Sequence, residues 1–173
     1  MASPCIRLYA ALLALAVACI APDTRGQGQG QGQDSQIKAA FIFNIALYTT
    51  WAPVPDRAKG LTVCASPQHV LWGSLRQLDG RNVNGRIWST VDIAAGKDCD
   101  IAVISAASAP RSAPKAVGAT LHVIDGAAPG KYAGAIMLVE EDQHIRFDVD
   151  TREAARAGIV FSSRLLRLAR NVV

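Results

Sequence analysis

The sequence predicts one α/β domain: a mixed, largely parallel sheet flanked by helices, with a β-hairpin near the C-terminus. Three observations lead there. Short apolar runs bounded by turn signals alternate with helical patterns, as in a layered α/β sheet. Two alternating runs flank Glu140-Glu141-Asp142-Gln143 and read as a hairpin. The chain has 173 residues, half of them apolar and 18% charged, enough for one domain with a real core. With 14 glycines and 8 prolines it is neither collagen-like nor of low complexity. The net charge of +4 is modest and unclustered, so nucleic acid is not an expected partner.

The N-terminus reads as a secretory signal peptide over residues 1–26. Arg7 precedes an apolar run from Leu8 to Ala18 that is short for a membrane span. Two processing routes stay open. Ala16-Val17-Ala18 before Cys19 resembles a bacterial lipobox, though with Ala where Leu is usual, and would allow lipid anchoring at Cys19. Ordinary cleavage after Ala18, or later near Gly26, fits as well. Residues 27–34 form a Gly/Gln repeat with nothing to bury, expected as a flexible linker. The domain then runs over 35–173. Removing residues 1–26 takes away Arg7, Arg25 and Asp23 and leaves 16 basic and 13 acidic residues, a net +3.

A first helix is expected over Ser35–Trp51, capped by Ser35 or Asp34 and ended before Pro53. Ile37, Ala40, Phe41, Ile45 and Tyr48 share one stripe. Asn44 lies inside this apolar run and reads as a core amide in need of hydrogen bonds, with a binding role as the alternative. Leu61–Ala65 is a strand, and Pro67 opens a helix to about Leu78. A turn at Asp79-Gly80-Arg81 and the stretch Asn82–Arg86 lead into a strand over Ile87–Val91. Cys99–Ser105 and Leu121–Ile124 are buried strands, with a loop or weak helix over 106–118. Strands over Ile136–Val139 and His144–Val149 make the hairpin. His144, Arg146, Asp148 and Asp150 would form the polar face of its second arm. Thr151 caps a helix to Ala157, stopped by Gly158, and Ser162 or Ser163 caps a last helix over Arg164–Val172.

Cys64 and Cys99 are the two cysteines inside the folded part. In an exported domain they suggest one disulfide, with two buried free thiols as the alternative. Catalytic patterns are missing. His69, His122 and His144 lack ligand spacing, and no zinc-protease, nucleophile-elbow, phosphate-loop or dinucleotide motif occurs. No enzyme activity, cofactor or metal is expected.

The segment Ile37-Lys38-Ala39-Ala40-Phe41-Ile42-Phe43-Asn44-Ile45, followed by Thr50-Trp51, resembles the opening helix of YfiR-like periplasmic proteins. Gly80 to Arg86 is similar to their "G-x-x-V-x-G-R" segment, and Cys99–Ser105 to their second buried strand. Gly134–Leu138, Ile145–Asp150 and Ala157–Ala169 resemble the closing signature, so the likeness covers about residues 35–172. It implies an exported dimeric α/β regulator with a Cys64–Cys99 bridge. Such a regulator binds and inhibits the periplasmic domain of an inner-membrane diguanylate cyclase, lowering cyclic di-GMP and biofilm formation. A second cysteine pair of some relatives has no counterpart here. On that reading the contact surface is the polar strand face and last helix, through Arg146, Asp148, Arg164 and Arg167, with Ile159 beside them. A periplasmic sensor that binds a small ligand, without catalysis, is the alternative.

Overall fold

A computed structural model of the chain describes residues 27–52, 60–96, 98–109, 119–126 and 133–173. The leader, with Cys19, and most of the 106–118 stretch lie outside the described residues. The chain divides into two compact units, residues 1–31 and 32–173. Of the first, the described part is the opening of helix α1; the second holds the sheet.

Helix α1 spans Gln27–Leu47 and so begins within the Gly/Gln repeat expected as a flexible linker. Gln is a good helix former and the repeat has no Pro or β-branched residue. Each Gly then costs about 1 kcal/mol without breaking the helix. Ser35 is therefore inside the helix rather than at its cap, and its Oγ donates to the Gly32 carbonyl. The helix also stops earlier than expected. Thr49–Trp51 is a strand, β1, paired antiparallel with β9, Ile159–Phe161. The buried stripe of α1 is Ala39, Ile42, Ile45 and Ala46, whereas Ala40 and Ile37 face outward.

The sheet has eight strands. They are β2 (Gly60–Ala65), β3 (Asn82–Val83), β4 (Arg86–Asp92), β5 (Ile101–Ser105), β6 (Leu121–Asp125), β7 (Ile136–Glu141), β8 (His144–Val149) and β10 (Asn171–Val172). Their spatial order is β10-β8-β7-β6-β5-β2-β4-β3. Five of the seven adjacent pairings are parallel, and β3–β4 and the β7–β8 hairpin are antiparallel. The predicted α/β class holds. Parallel strands covered on both faces need continuous apolar runs, and Leu121, Val123 and Ile124 of β6 are all fully buried. Within this sheet β3 and β10 escape local pattern reading, because each has two residues.

The helix expected from Pro67 to Leu78 is shorter, a turn followed by α2, Trp72–Arg76. The His69 Nδ1 accepts the Leu71 N–H at 3.1 Å, a local bond that competes with helix formation. Asn84 and Gly85 both have left-handed φ, 52° and 87°, which makes the two-residue β3–β4 hairpin turn. Asn84 Nδ2 donates to the Leu47 carbonyl and satisfies the end of α1. This turn delivers Arg86 to the sheet. Its guanidinium lies 2.7 Å from Asp100 Oδ1, donates to the Gly60 carbonyl, and stacks over Trp51 at 5.6 Å. Asp100 is buried; its Oδ2 accepts the Thr62 N–H, and its carbonyl accepts the Trp51 Nε1–H. Beside it Cys64 and Cys99 form a disulfide with Cα atoms 5.8 Å apart. Closing that loop lowers the entropy of the unfolded chain by the equivalent of about 3.8 kcal/mol.

Helix α3, Thr151–Arg156, is capped by Asp150 rather than Thr151: its Oδ1 accepts the Arg152 and Glu153 N–H groups. Helix α4 covers Ser163–Leu166 with Ser162 as cap and does not reach Val172. The final residues instead extend along β8 as β10, where backbone pairing takes the place of further helical turns.

Breaking a buried ion pair leaves a charge without compensation. Arg86→Ala is expected to lower unfolding free energy by about 3 kcal/mol, and Arg86→Lys by less, measured by urea denaturation. Burial lowers the pKa of His69, with Asp125 opposing and Lys38 reinforcing the shift, and it lowers that of His122, with Glu153 opposing. The native state thus favours neutral rings. This stability is present above the unfolded pKa of about 6.5 and is lost as pH falls from there through the lowered native values. The urea midpoint should drop between about pH 7.5 and about pH 5, and drop less in His122→Gln.

Candidate functional site

The C-terminal return of the chain shapes a groove. Asp148 of β8 is fully buried and holds Arg170 through two bonds, Nε to Oδ1 at 2.9 Å and Nη2 to Oδ2 at 2.6 Å. Arg170 also reaches Glu141, and Asn171 Nδ2 donates to Asp148 Oδ1. Hydrogen bonding to Asp148 raises the Arg170 pKa further above its ordinary value. The clasp fixes the segment after α4 against β8. Between this segment, α1 and β8 lies a half-open cavity of about 480 Å³. Phe41, Asn44, Ile45 and Tyr48 line one side, Ile145, Arg146 and Phe147 a second, Leu165 and Leu168 a third. Phe41 and Phe147 meet across it with ring centroids 6.0 Å apart.

The sequence-predicted contact residues separate on this frame. Arg146 lines the groove and is exposed. Arg164 and Arg167 are exposed and flank the lining residues Leu165 and Leu168 in the chain. None of the three makes an ion pair among the described residues. Asp148 and Ile159 do not belong with them. Asp148 is consumed by the clasp, and Ile159 is buried in β9, opposite Trp51. Asp150 is buried as a helix cap, so the polar face of β8 is reduced to His144 and Arg146. Leu168, within the last helix expected over Arg164–Val172, lies beyond the end of α4 and is 66% exposed at the groove.

Sequence reasoning missed Phe41 and Tyr48 as groove residues and put a core role before a binding role for Asn44. Asn44 carried the signal: an amide inside an apolar helix, which here faces solvent at the groove and needs no core partner. It also missed an open strand edge. β10 pairs with Asp148 and Val149, so residues 144–146 of β8 have no strand on their outer side among the described residues. An unpaired edge beside an apolar groove can accept an added strand or an apolar side chain.

The site holds no set of groups for covalent chemistry. Among the described residues no group of three His, Cys, Asp or Glu side chains could hold a metal ion. No described helix is long and apolar enough to cross a membrane.

Residues 35–170 match a protein family described as YfiR/HmsC-like, well over half of the chain. No curated protein matches.

The two groove leucines should behave oppositely. Leu165 is buried, so Leu165→Ala is expected to cost about 2–5 kcal/mol. Leu168→Ser should change stability by no more than about 0.5 kcal/mol. Thermal unfolding of both variants checks this.

Proposed function

The chain belongs to the YfiR/HmsC-like family, and from that premise we propose that it is an exported, non-catalytic regulator. It binds and inhibits the periplasmic domain of an inner-membrane diguanylate cyclase, lowering cyclic di-GMP and biofilm formation. The family match over residues 35–170 carries this reading. The leader pattern, the Cys64–Cys99 disulfide and the homodimer implied by the family resemblance agree with a periplasmic setting. Lipid anchoring at Cys19 would keep the domain near the membrane.

The groove is the proposed contact. Its apolar floor offers a pocket for a partner's hydrophobic anchor. Arg146, Arg164 and Arg167, without an ion pair among the described residues, add positive charge that favours an acidic surface and speeds encounter. The open edge of β8 supplies backbone donors and acceptors.

Deletion in the native host should raise cyclic di-GMP, and restoring the chain should reverse the rise. Restoration with Arg146→Glu combined with Leu168→Asp should fail although the variant accumulates in folded form. A deletion without effect on cyclic di-GMP would overturn the regulatory reading. Full rescue by the double variant would remove the groove from the contact.

A further inference from the structure

The lining of the groove follows the edge of β8. Ile145, Arg146 and Phe147 all border the cavity. Side chains of consecutive strand residues point to opposite faces. A cavity bordered by three in a row therefore runs along the strand's edge, not over one face of the sheet.

The backbone at that edge is open. The Phe147 carbonyl accepts the Arg170 N–H, and the Val149 carbonyl accepts the Val173 N–H, so these residues turn their backbone groups outward. Alternate residues of an antiparallel pair bond the neighbouring strand, so His144 and Arg146 bond β7 and Ile145 continues the outward row. β10 starts at Asn171, opposite Asp148, and pairs no further back along β8. The Ile145 N–H, the Ile145 carbonyl and the Phe147 N–H thus have no backbone partner among the described residues. Ile145 keeps 9% of its surface open, and Arg146 beside it is exposed. Unpaired edge groups of this kind are a template for an added strand.

The free groups fit one direction. β10 runs parallel to β8, and a strand continuing its line runs parallel too. In that arrangement a residue set beside Arg146 donates to the Ile145 carbonyl and accepts the Phe147 N–H. The residue set beside His144 accepts the Ile145 N–H. All the free groups are then used.

The pleat sets the side chains. Phe147 meets Phe41 of α1, so Ile145, on the same face, also points to the α1 side. A residue added beside Ile145 points that way, over Phe41, Tyr48, Leu165 and Leu168, and suits an apolar side chain. Residues added beside His144 and Arg146 point to the other face, where Arg146 favours a carboxylate. Arg164 and Arg167, exposed next to the lining leucines, favour further acid. A second copy offering its own β8 would bring the same arginines against each other, and like charges repel. We propose that the open edge of β8 takes an extended acidic segment of the partner, alternating acid–apolar–acid, as a short parallel strand. This rests on the groove being the regulatory contact and names the element it receives.

The test uses the mature chain and the peptide Ac-Asp-Glu-Leu-Glu-Asp-NH2, followed by NMR. Saturable binding should slow hydrogen exchange at the Ile145 and Phe147 amides and leave those of His144 and Arg146 unchanged. Methylating the nitrogen of the glutamate after the leucine should weaken binding about tenfold, the loss of one donor to the Ile145 carbonyl. Methylating the leucine nitrogen, which points away from β8, should leave binding intact. Arg146→Glu, at an exposed position, should weaken it about tenfold, and Ac-Lys-Lys-Leu-Lys-Lys-NH2 should not bind. No binding of the acidic peptide, binding without protection at Ile145, or equal binding of the two methylated forms would overturn the assignment. The peptide is followed without the cyclase, so the two readings fail separately. Failure of the peptide leaves a cyclic di-GMP rise on deletion standing, and a deletion without effect leaves peptide binding standing.

Discussion

The position of Asp100 governs much of this domain. Its carboxylate is buried at the start of β5 and is held from three directions, by the Thr62 amide of β2, by Arg86 of β4, and through its carbonyl by Trp51 of β1. A buried carboxylate tolerates few geometries, because each oxygen must find a donor. Three strands and the β1–β9 ribbon thus share one anchor. The disulfide adds a covalent tie one residue upstream of Asp100. The Asn84-Gly85 turn matters mainly because it brings Arg86 to that point.

A second polar lock acts at the opposite edge of the sheet. Arg170 and Asp148 hold the chain after α4 in place, and Val173 continues the tie, accepting the Thr151 N–H and donating to the Val149 carbonyl. Without that lock the segment bearing Leu168 would have no fixed place beside α1. The groove is thus a product of charge pairing as much as of apolar packing. Its exposed arginines differ from the part-buried Arg170 in that no carboxylate of the described residues reaches them.

What the sequence revealed follows the range of the forces involved. β2, β5, β6 and the β7–β8 hairpin were legible because apolar runs and turn residues act within a few positions. The cysteine pair was legible because compartment and count leave few options. β1 and β9 were not, since Thr49–Trp51 becomes a strand only by meeting Ile159–Phe161, more than a hundred residues later. Asp148 looked exposed because alternation puts it on the polar face; its partner at position 170 overrides the alternation. Arg146, Arg164 and Arg167 were found as surface charges, but the cavity they border depends on tertiary packing of α1. The open edge of β8 depends on where β10 stops, which no local pattern encodes.

Helix α1 lines the groove at one point and meets the sheet through an ion pair at another. Lys38 pairs with Asp125 at the end of β6, and Phe41, Asn44 and Ile45 line the groove. These points lie within about 10 Å along one helix axis. A helix is stiff over that length, so it carries a tilt or slide at one end to the other. A partner that seats in the groove and favours one setting of the helix is thus felt at the Lys38–Asp125 pair. By linkage, whatever strengthens or strains that pair alters the partner's affinity by the factor with which the partner alters the pair.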